Sequence, residues 1–347
     1  MENRDNNREY DFEKTVGKGN TPPSADNEKV NKEAVTVDAF LSSLKDIKSN
    51  DIAPPTKTKK RIKFPYVLRV VLLTVFLSVF VISAVMIVSE LREGHWADKM
   101  YSDLSDDFFS GTDRTGYMSY LSPAVLDTTT PKFGSVRNST GGGDYTILDT
   151  NNQFFAQFKE KLTEYKQKNP DIYGWIQVDG TNISYACVKG ADNDYYLNHT
   201  ATLDYNANGA IFADFRCADD IIDNPNLVFY GHNSIYPGQM FHEITNFLDE
   251  SFFRNNRYVT IYTLDGVYRY EIFAIYETHS TYRYCQISFV SGNSFVNWCN
   301  EMKANSMYQI ETDDFTPDSK ILTLSTCTNG YFTRRYSLQA RLVSVEK

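Results

Sequence analysis

The sequence of 347 residues is 14% aromatic, a share too high for a chain that is disordered along its whole length. Its 35 Lys and Arg residues against 44 Asp and Glu residues give a formal net charge of −9, which argues against nucleic acid as a partner because phosphate binding needs a basic surface. The mean hydropathy of −0.43 excludes a protein with many membrane spans but permits one.

One apolar segment is long enough to cross a membrane. Val70–Val88 contains 19 residues without a charge and, as a helix, nearly spans a hydrocarbon core of ~30 Å. Basic residues are concentrated just before it, at Lys57, Lys59, Lys60, Arg61 and Lys63. The positive-inside rule predicts a single-pass anchor over residues 64–90, with the N-terminus in the cytoplasm and the C-terminal part outside the cell. A cleaved signal peptide is disfavoured because a long polar segment precedes the anchor.

The regions on either side of the anchor are polar. Residues 1–63 are rich in charges and contain several prolines, which predicts a disordered cytoplasmic tail. Residues 91–150 are rich in Ser, Thr, Asp and Gly and lack sustained periodicity from residue 97 onwards, which predicts an extracellular stalk or linker. Residues 151–347 are therefore expected to form the folded domain that carries the chemistry.

The folded segment is predicted to be mainly β. A run of apolar residues at helical spacing, ended by Pro170, predicts one helix, and a second is predicted over Asn293–Lys303. Two Asp-Gly pairs, at 179–180 and 265–266, are typical of hairpin turns. The eight predicted strands are Trp175–Val178, Ile183–Ala186, Ala210–Phe215, Asn226–Tyr230, Tyr258–Leu264, Val267–Tyr276, Lys320–Thr326 and Arg335–Val345. They indicate a closed or nearly closed antiparallel barrel with peripheral helices.

Five cysteines lie in this segment, at positions 187, 217, 285, 299 and 327. Their spacing contains no paired-ligand pattern for zinc, so we predict no metal and no cofactor. Because five is an odd number, at least one thiol is free or intermolecular. Cys187, Cys217 and Cys299 adjoin apolar residues of predicted strands or helices and are expected to be buried.

Cys327 differs because it ends a strand of alternating polarity. The leucines of this strand share one face, and Cys327 lies with Thr323 and Ser325 on the opposite, polar face. In the next strand the same alternation places Arg335 on the outer face and Arg334 on the other. If the two strands pair antiparallel, Cys327 and Arg335 lie side by side, about 5 Å apart at Cα. A neighbouring guanidinium favours the thiolate and offers donors to an oxyanion.

A cysteine nucleophile also needs a group for proton transfer. The folded segment contains four histidines, namely His199, His232, His242 and His279. His232 is best placed because it follows a buried-type strand and Gly231, where side chains emerge into a cleft and the backbone approaches closely. The alternative for His232 is a structural histidine. His199 and His242 are predicted to be surface or turn residues.

These residues lie in short motifs. Thr323–Cys327 reads TLSTC, Tyr230–Asn233 reads YGHN, and Arg335 begins the last predicted strand. Together they resemble the nucleophile (TLxTC), histidine and arginine motifs of the sortases, specifically of class B. Further segments that resemble class B landmarks are Asn169–Ile176, Asp192–His199 and Gly209–Phe212. The resemblance therefore extends over nearly all of residues 151–347.

The resemblance implies an eight-stranded sortase-type barrel and a cysteine transpeptidase at the outer membrane face. Cys327 would attack the Thr carbonyl of an NPxTN-type sorting signal on a secreted protein and form a thioester. His232 would protonate the departing amine and later deprotonate the incoming one, while Arg335 would stabilise the oxyanion or hold the substrate. The amine would come from a cell-wall peptide or its lipid-linked precursor. The implied substrate groove, whose members could instead be turn or packing residues, consists of Asn193, Leu197, Tyr284 and Ser325.

Three other functions stay open from the sequence. Water in place of the amine would make the protein a surface cysteine peptidase, and a lysine side chain as acceptor would make it a pilin-polymerising sortase. A third alternative is a non-enzymatic anchored binding module, whose signature would be the loss of Cys327, His232 or Arg335, and all three are present. Cys217 and Cys285 depart from the family pattern, and Cys285 could lie near the groove.

Overall fold

A computed structural model describes residues 65–110, 135–136, 145–148, 153–234, 239–328 and 331–347. The predicted tail over residues 1–63 and most of the predicted stalk lie outside these residues. The barrel and its site belong to the compact unit Val70–Lys347.

Eight strands form a closed barrel. In chain order they are β1 (Ile172–Val178), β2 (Ser184–Val188), β3 (Ile211–Ala213), β4 (Asn226–Tyr230), β5 (Tyr258–Tyr262), β6 (Val267–His279), β7 (Ile321–Thr328) and β8 (Tyr331–Glu346). Their order around the barrel is β8-β6-β5-β1-β2-β3-β4-β7, and the pairing of β7 with β8 closes it. All eight predicted strands are present, and the predicted barrel is confirmed.

The barrel is mixed, so the prediction of an antiparallel barrel was wrong in that respect. The pairs β2–β3 and β4–β7 are parallel. Parallel neighbours need a long crossover connection. A segment of 22 residues with one 3-10 helix separates β2 from β3, and β5, β6 and two α-helices lie between β4 and β7. The two Asp-Gly turns do form the antiparallel hairpins β1–β2 and β5–β6, with Gly180 at a φ of 73° that a side chain rarely adopts.

Helices and short elements decorate the barrel. Within the described residues, the α-helices are α1 (Tyr66–Phe108), α2 (Gln153–Lys168), α3 (Glu250–Asn255) and α4 (Gly292–Ala304). The 3-10 helices are Tyr195–Leu197, Ile221–Asp223, His242–Leu248 and Arg283–Cys285. The remaining short strands are Ser135–Val136, Thr146–Leu148, Asn233–Ser234 and Gln239–Met240. Both helices predicted in the folded segment are confirmed, as α2 and α4.

The core is formed by the apolar side chains that alternate with polar ones along the barrel strands. Every barrel strand contributes buried apolar residues to one cluster, such as Ile176 of β1, Phe229 of β4 and Leu324 of β7. A second cluster lies between β1, α2 and the end of α1, and a third lies under α4 around Trp298. Strand β7 contributes Leu322 and Leu324 to the first cluster and Ile321 to the third, so it is supported on both faces.

The long helix α1 begins as the predicted anchor. Its apolar part, Val70–Val88, is exposed along its length. Among the described residues, α1 is the one helix that is long and apolar enough to cross a membrane.

The helix continues to Phe108, over residues for which the sequence predicted a stalk. Ala97, Tyr101 and Phe108 are buried against the barrel. Phe108 stacks on Trp175 with ring centroids 4.3 Å apart. The stalk prediction was therefore wrong for residues 97–108, because these apolar residues recur with the helical period of 3.6.

Candidate active site

Cys327 of β7 lies directly opposite Arg335 of β8 in the antiparallel register. This pairing is the one that the alternation of both strands predicts. Both side chains are half-buried, and the guanidinium of Arg335 donates through Nη1 to the carbonyl of Arg334 at 2.9 Å. The side chain of Arg334 instead pairs with Glu277. A half-buried thiol therefore has a permanent cation on the neighbouring strand.

The predicted site residues line one cleft with a volume of about 360 Å³. Cys327, His232 and Arg335 all contribute to its lining. The four residues of the implied substrate groove line it as well, namely Asn193, Leu197, Tyr284 and Ser325. The other lining residues are Phe212, Arg216, Tyr230, Gly231, Ser280, Cys285 and Thr326. The structure thus brings all seven predicted site residues together.

His232 is held at the cleft by its backbone and by its ring. The N–H of Gly231 donates to the carbonyl of Ser325 in β7 at 3.2 Å. A Cβ atom at Gly231 would lie 2.8 Å from the buried ring of Phe241, so glycine permits this close approach. His232 Nε2 lies 2.8 Å from the carbonyl oxygen of Leu197. Because a carbonyl only accepts, Nε2 donates, and Nδ1 of the neutral ring is then the nitrogen without a proton.

Asn233 connects the histidine segment to the nucleophile strand. Its Nδ2 donates to the backbone carbonyl of Cys327 at 2.8 Å. Its Oδ1 lies 2.7 Å from Nδ1 of His242, which must donate because an amide oxygen only accepts. His242, predicted as a surface or turn residue, is half-buried and supports Asn233. Only the position of Asn233 inside the YGHN motif could have indicated this link.

A polar network that the sequence reasoning missed lies beside the cleft. The carboxylate of Asp214 is fully buried and accepts hydrogen bonds from Tyr230 at 2.9 Å and from Arg216 at 2.6 and 2.8 Å. Burial raises the pKa of Asp214, but the hydrogen bonds from Arg216 and Tyr230 outweigh it, so the pKa is lowered. The cleft therefore has a second arginine that is held in place by a buried anion.

Three of the implied substrate-groove residues also have structural partners. The hydroxyl groups of Tyr284 and Ser325 lie 2.8 Å apart, and both residues are buried. Asn193 accepts a hydrogen bond from the N–H of Phe215 through Oδ1 at 3.0 Å. Leu197 is 40% exposed at the rim of the cleft. Asn193, Tyr284 and Ser325 therefore have packing or turn roles in addition to their positions in the cleft.

All five cysteines are free thiols. Cys187, Cys217 and Cys299 are buried, as predicted. Cys285 lies in the lining of the cleft, where burial raises its pKa to about 12, so it stays protonated at neutral pH. Within the described part of the chain, no group of three or more His, Cys, Asp or Glu side chains is placed to hold a metal ion.

Comparison with known proteins agrees with this geometry. A family profile described as the sortase domain matches residues 176–343. Sortase B of Listeria monocytogenes is 30% identical over 191 residues, which cover 54% of this chain and 76% of the relative. The chain belongs to the sortase family. Sortase B of Staphylococcus aureus is 29% identical over 179 residues, covering 51% of this chain and 72% of the relative.

A solved structure extends the likeness to the fold. The structure of a mutant form of Clostridium perfringens sortase B aligns with a TM-score of 0.52 and 30% identity, covering 55% of this chain and 90% of that one. The predicted family, class B, and the predicted type of enzyme, a cysteine transpeptidase, are therefore confirmed. Membership implies protein substrates that carry a sorting signal and peptide acceptors.

Proposed function

We propose that this sortase cleaves an NPxTN-type sorting signal near the C-terminus of secreted proteins and joins them to an amine of a cell-wall peptide. The observation that carries the proposal is the placement of Cys327 opposite Arg335, with His232 in the same cleft. Cys285 also lines this cleft, but its raised pKa of about 12 makes it a poor nucleophile near neutral pH. Cys327 is therefore the residue that attacks.

The first half-reaction forms an acyl-enzyme. The sulfur of Cys327 attacks the Thr carbonyl, a C–S bond forms, and the C–N bond of the scissile peptide breaks. The thiol proton of Cys327 passes to Nδ1 of His232, whose Nε2 is committed to the Leu197 carbonyl, and His232 then delivers this proton to the departing amine. Arg335 presents fixed N–H donors to the oxyanion or to the substrate backbone. The product is a thioester on Cys327.

The second half-reaction discharges the thioester. An incoming amine loses its proton to His232, forms the new C–N bond, and releases the Cys327 thiolate. The acceptor that we propose is a cell-wall peptide or its lipid-linked precursor. Substrate contacts are assigned to Asn193, Leu197, Tyr284 and Ser325, which line the same cleft as the nucleophile.

The enzyme is proposed to act at the outer face of the cell membrane. Val70–Val88 is exposed and apolar, as a membrane span requires. Basic residues precede this segment in the sequence, which favours a cytoplasmic N-terminus and an extracellular barrel.

The test is intact-mass spectrometry of the full chain in detergent after mixing with an NPxTN-type peptide. The full chain is used because the end of α1 packs on Trp175, and truncation would expose this surface. We expect an adduct equal to the N-terminal fragment of the peptide. The adduct should be absent from the Cys327→Ala variant and should be discharged by an added amine into a ligated product.

Each other outcome has a distinct meaning. Discharge by water alone would favour the surface peptidase, and discharge only by lysine side chains would favour the pilin polymerase. An adduct that persists in the Cys327→Ala variant would reject Cys327 as the nucleophile. The absence of any adduct with a panel of peptides, together with a Cys327 that resists a small thiol reagent, would favour the binding module.

A further inference from the structure

Helix α1 joins the apolar segment to the barrel without a break. Gly94 follows Val88 by six positions and is already buried, and its carbonyl accepts a hydrogen bond from Gln239 Nε2 at 3.5 Å. The preceding carbonyl, that of Glu93, accepts from Asn206 Nδ2 at 3.3 Å. At a rise of about 1.5 Å per residue, the barrel contacts α1 within about 10 Å of the end of the apolar segment.

A groove of about 820 Å³ opens at this junction, between α1 and the turn at residues 205–206. Its lining combines aliphatic, aromatic and basic side chains, represented by Val88, Leu91, Trp96, Tyr205, Arg92 and Lys99. Glu93 is the one carboxylate in this lining, so the two basic side chains outnumber it. We call this feature the membrane-proximal groove.

Large apolar groups of the groove are exposed to solvent. Trp96 is 46% exposed and Tyr205 is 68% exposed, and the adjacent Leu203 is 42% exposed. Helical side chains lean towards the N-terminus of their helix, so Trp96 leans back towards the apolar segment. Amphipathic aromatic rings beside basic residues are typical of the interface between membrane and water.

We propose that the membrane-proximal groove binds the phosphate headgroup of a membrane phospholipid, with Trp96 and Tyr205 inserted at the lipid interface. The barrel then docks on the bilayer directly, in addition to being tethered by α1. The inference rests on the membrane anchoring given under the proposed function. Arg92 and Lys99 supply the positive charge for the phosphate, and each cation near an anionic surface strengthens binding about fivefold.

The docking surface is connected to the cleft through a short stretch of chain. Tyr205 forms a β-bridge with His199, whose ring stacks on Tyr195 at 4.0 Å between centroids. Tyr195 begins the 3-10 turn that ends at Leu197, and the Leu197 carbonyl accepts the hydrogen bond from His232. Docking would therefore hold the rim of the cleft at a defined height above the bilayer.

The test measures how deeply single tryptophans enter the bilayer. The sequence contains three Trp residues, and Trp175 and Trp298 are fully buried, which leaves Trp96 as the exposed reporter. The full chain is reconstituted in vesicles of phosphatidylglycerol and phosphatidylcholine with bromine placed near the headgroup end of the acyl chains. We expect strong quenching of the exposed emission, and loss of this quenched component in the Trp96→Phe variant.

A second reporter is needed because Trp96 lies on α1, so the passage of α1 through the membrane would bring it near the lipid even without docking of the barrel. In the Trp96→Phe background, Tyr205→Trp places a reporter on the barrel side of the groove. Val290→Trp is the matched control, because Val290 is fully exposed on the loop before α4 and outside the groove. We expect at least a threefold greater quenching of the Tyr205→Trp reporter than of the control. Replacing Arg92 and Lys99 by Gln should remove most of this difference.

The outcomes distinguish this inference from the proposed function. If the chain floats with the vesicles and forms the peptide adduct, but the Tyr205→Trp reporter is quenched no more than the Val290→Trp control, docking is wrong and the proposed function stands. If the chain does not float, membrane anchoring is wrong and docking is wrong with it. If the Tyr205→Trp reporter is shielded from both brominated lipid and aqueous iodide, a second copy of the chain fills the groove and the inference is overturned.

Discussion

Asn233 offers the sharpest test of how the site is assembled. It bridges the Cys327 carbonyl and Nδ1 of His242 with hydrogen bonds of 2.8 and 2.7 Å. The Asn233→Ala substitution removes both. Each hydrogen bond contributes about 0.5–1.5 kcal/mol net, so the loss amounts to about 1–3 kcal/mol. If this free energy is lost from the transition state, kcat/KM falls about 5- to 150-fold.

The assay is steady-state cleavage of an NPxTN-type peptide by the full chain in detergent, with kcat and KM measured separately. We expect kcat to fall and KM to change little, because Asn233 acts by positioning the nucleophile strand relative to His232. His242→Ala should have a smaller effect, since it removes only the second bond. The double variant should match Asn233→Ala, because His242 acts through Asn233.

Asn224→Ala is the matched control for a structural role. Asn224 is buried and donates to the Asp220 carbonyl at 2.8 Å, and it does not line the cleft. We expect this variant to lower the unfolding temperature while kcat stays within twofold of wild type. The positioning role of Asn233 would be refuted if Asn233→Ala also kept kcat within twofold, or if its loss were fully additive with that of His242→Ala.

Three further predictions concern packing, charge and thiol reactivity. Phe108→Ala should lower the free energy of unfolding of the full chain by about 3–5 kcal/mol in a denaturant titration, whereas Phe76→Ala, at a site 70% exposed, should change it little. The lowered pKa of Asp214 contributes stability that is present above the ordinary carboxyl value of 3.8 and is lost as pH falls through the lower folded value. Asp214→Asn should therefore lower the free energy of unfolding and make it vary less with pH below about 4. An acid-unfolding curve identical to that of the wild type would contradict this. Because burial raises the pKa of Cys285 to about 12, iodoacetamide at pH 8 should label Cys327 and spare Cys285, as peptide mass mapping can check.

The pairing at the centre of the site could be predicted because it depends on local rules. Strand alternation determines which face a residue occupies, and a short connection brings the ends of two strands together. These two rules place Cys327 and Arg335 opposite each other, as they are in the structure. The position of His232 was predictable for a similar reason, since it lies two residues after the end of β4.

The remaining parts of the site depend on contacts between distant segments. The carboxylate of Asp214 accepts hydrogen bonds from Arg216, two residues away, and from Tyr230 on the neighbouring strand β4. Strand order is needed to anticipate such a contact, and the parallel crossovers that determine it leave no turn signal in the sequence. The docked end of α1 was missed for a different reason. Its apolar period was present, but acidic and Ser residues between the apolar positions concealed it.

The polar face of β7 explains why the nucleophile stands where it does. Thr323 and Ser325 share this face with Cys327, yet both are buried. Thr323 donates to Asn226 Oδ1 at 2.8 Å, and Ser325 bonds to the Tyr284 hydroxyl. These hydrogen bonds lock the register of β7, because a shift by one residue would turn the polar face into the core. Cys327 is the next residue on the same face. It is half-buried instead of buried, because the strand reaches the cleft at this point. The hydrogen bonds of Thr323 and Ser325 therefore fix β7 as far as Cys327, whose side chain lines the cleft.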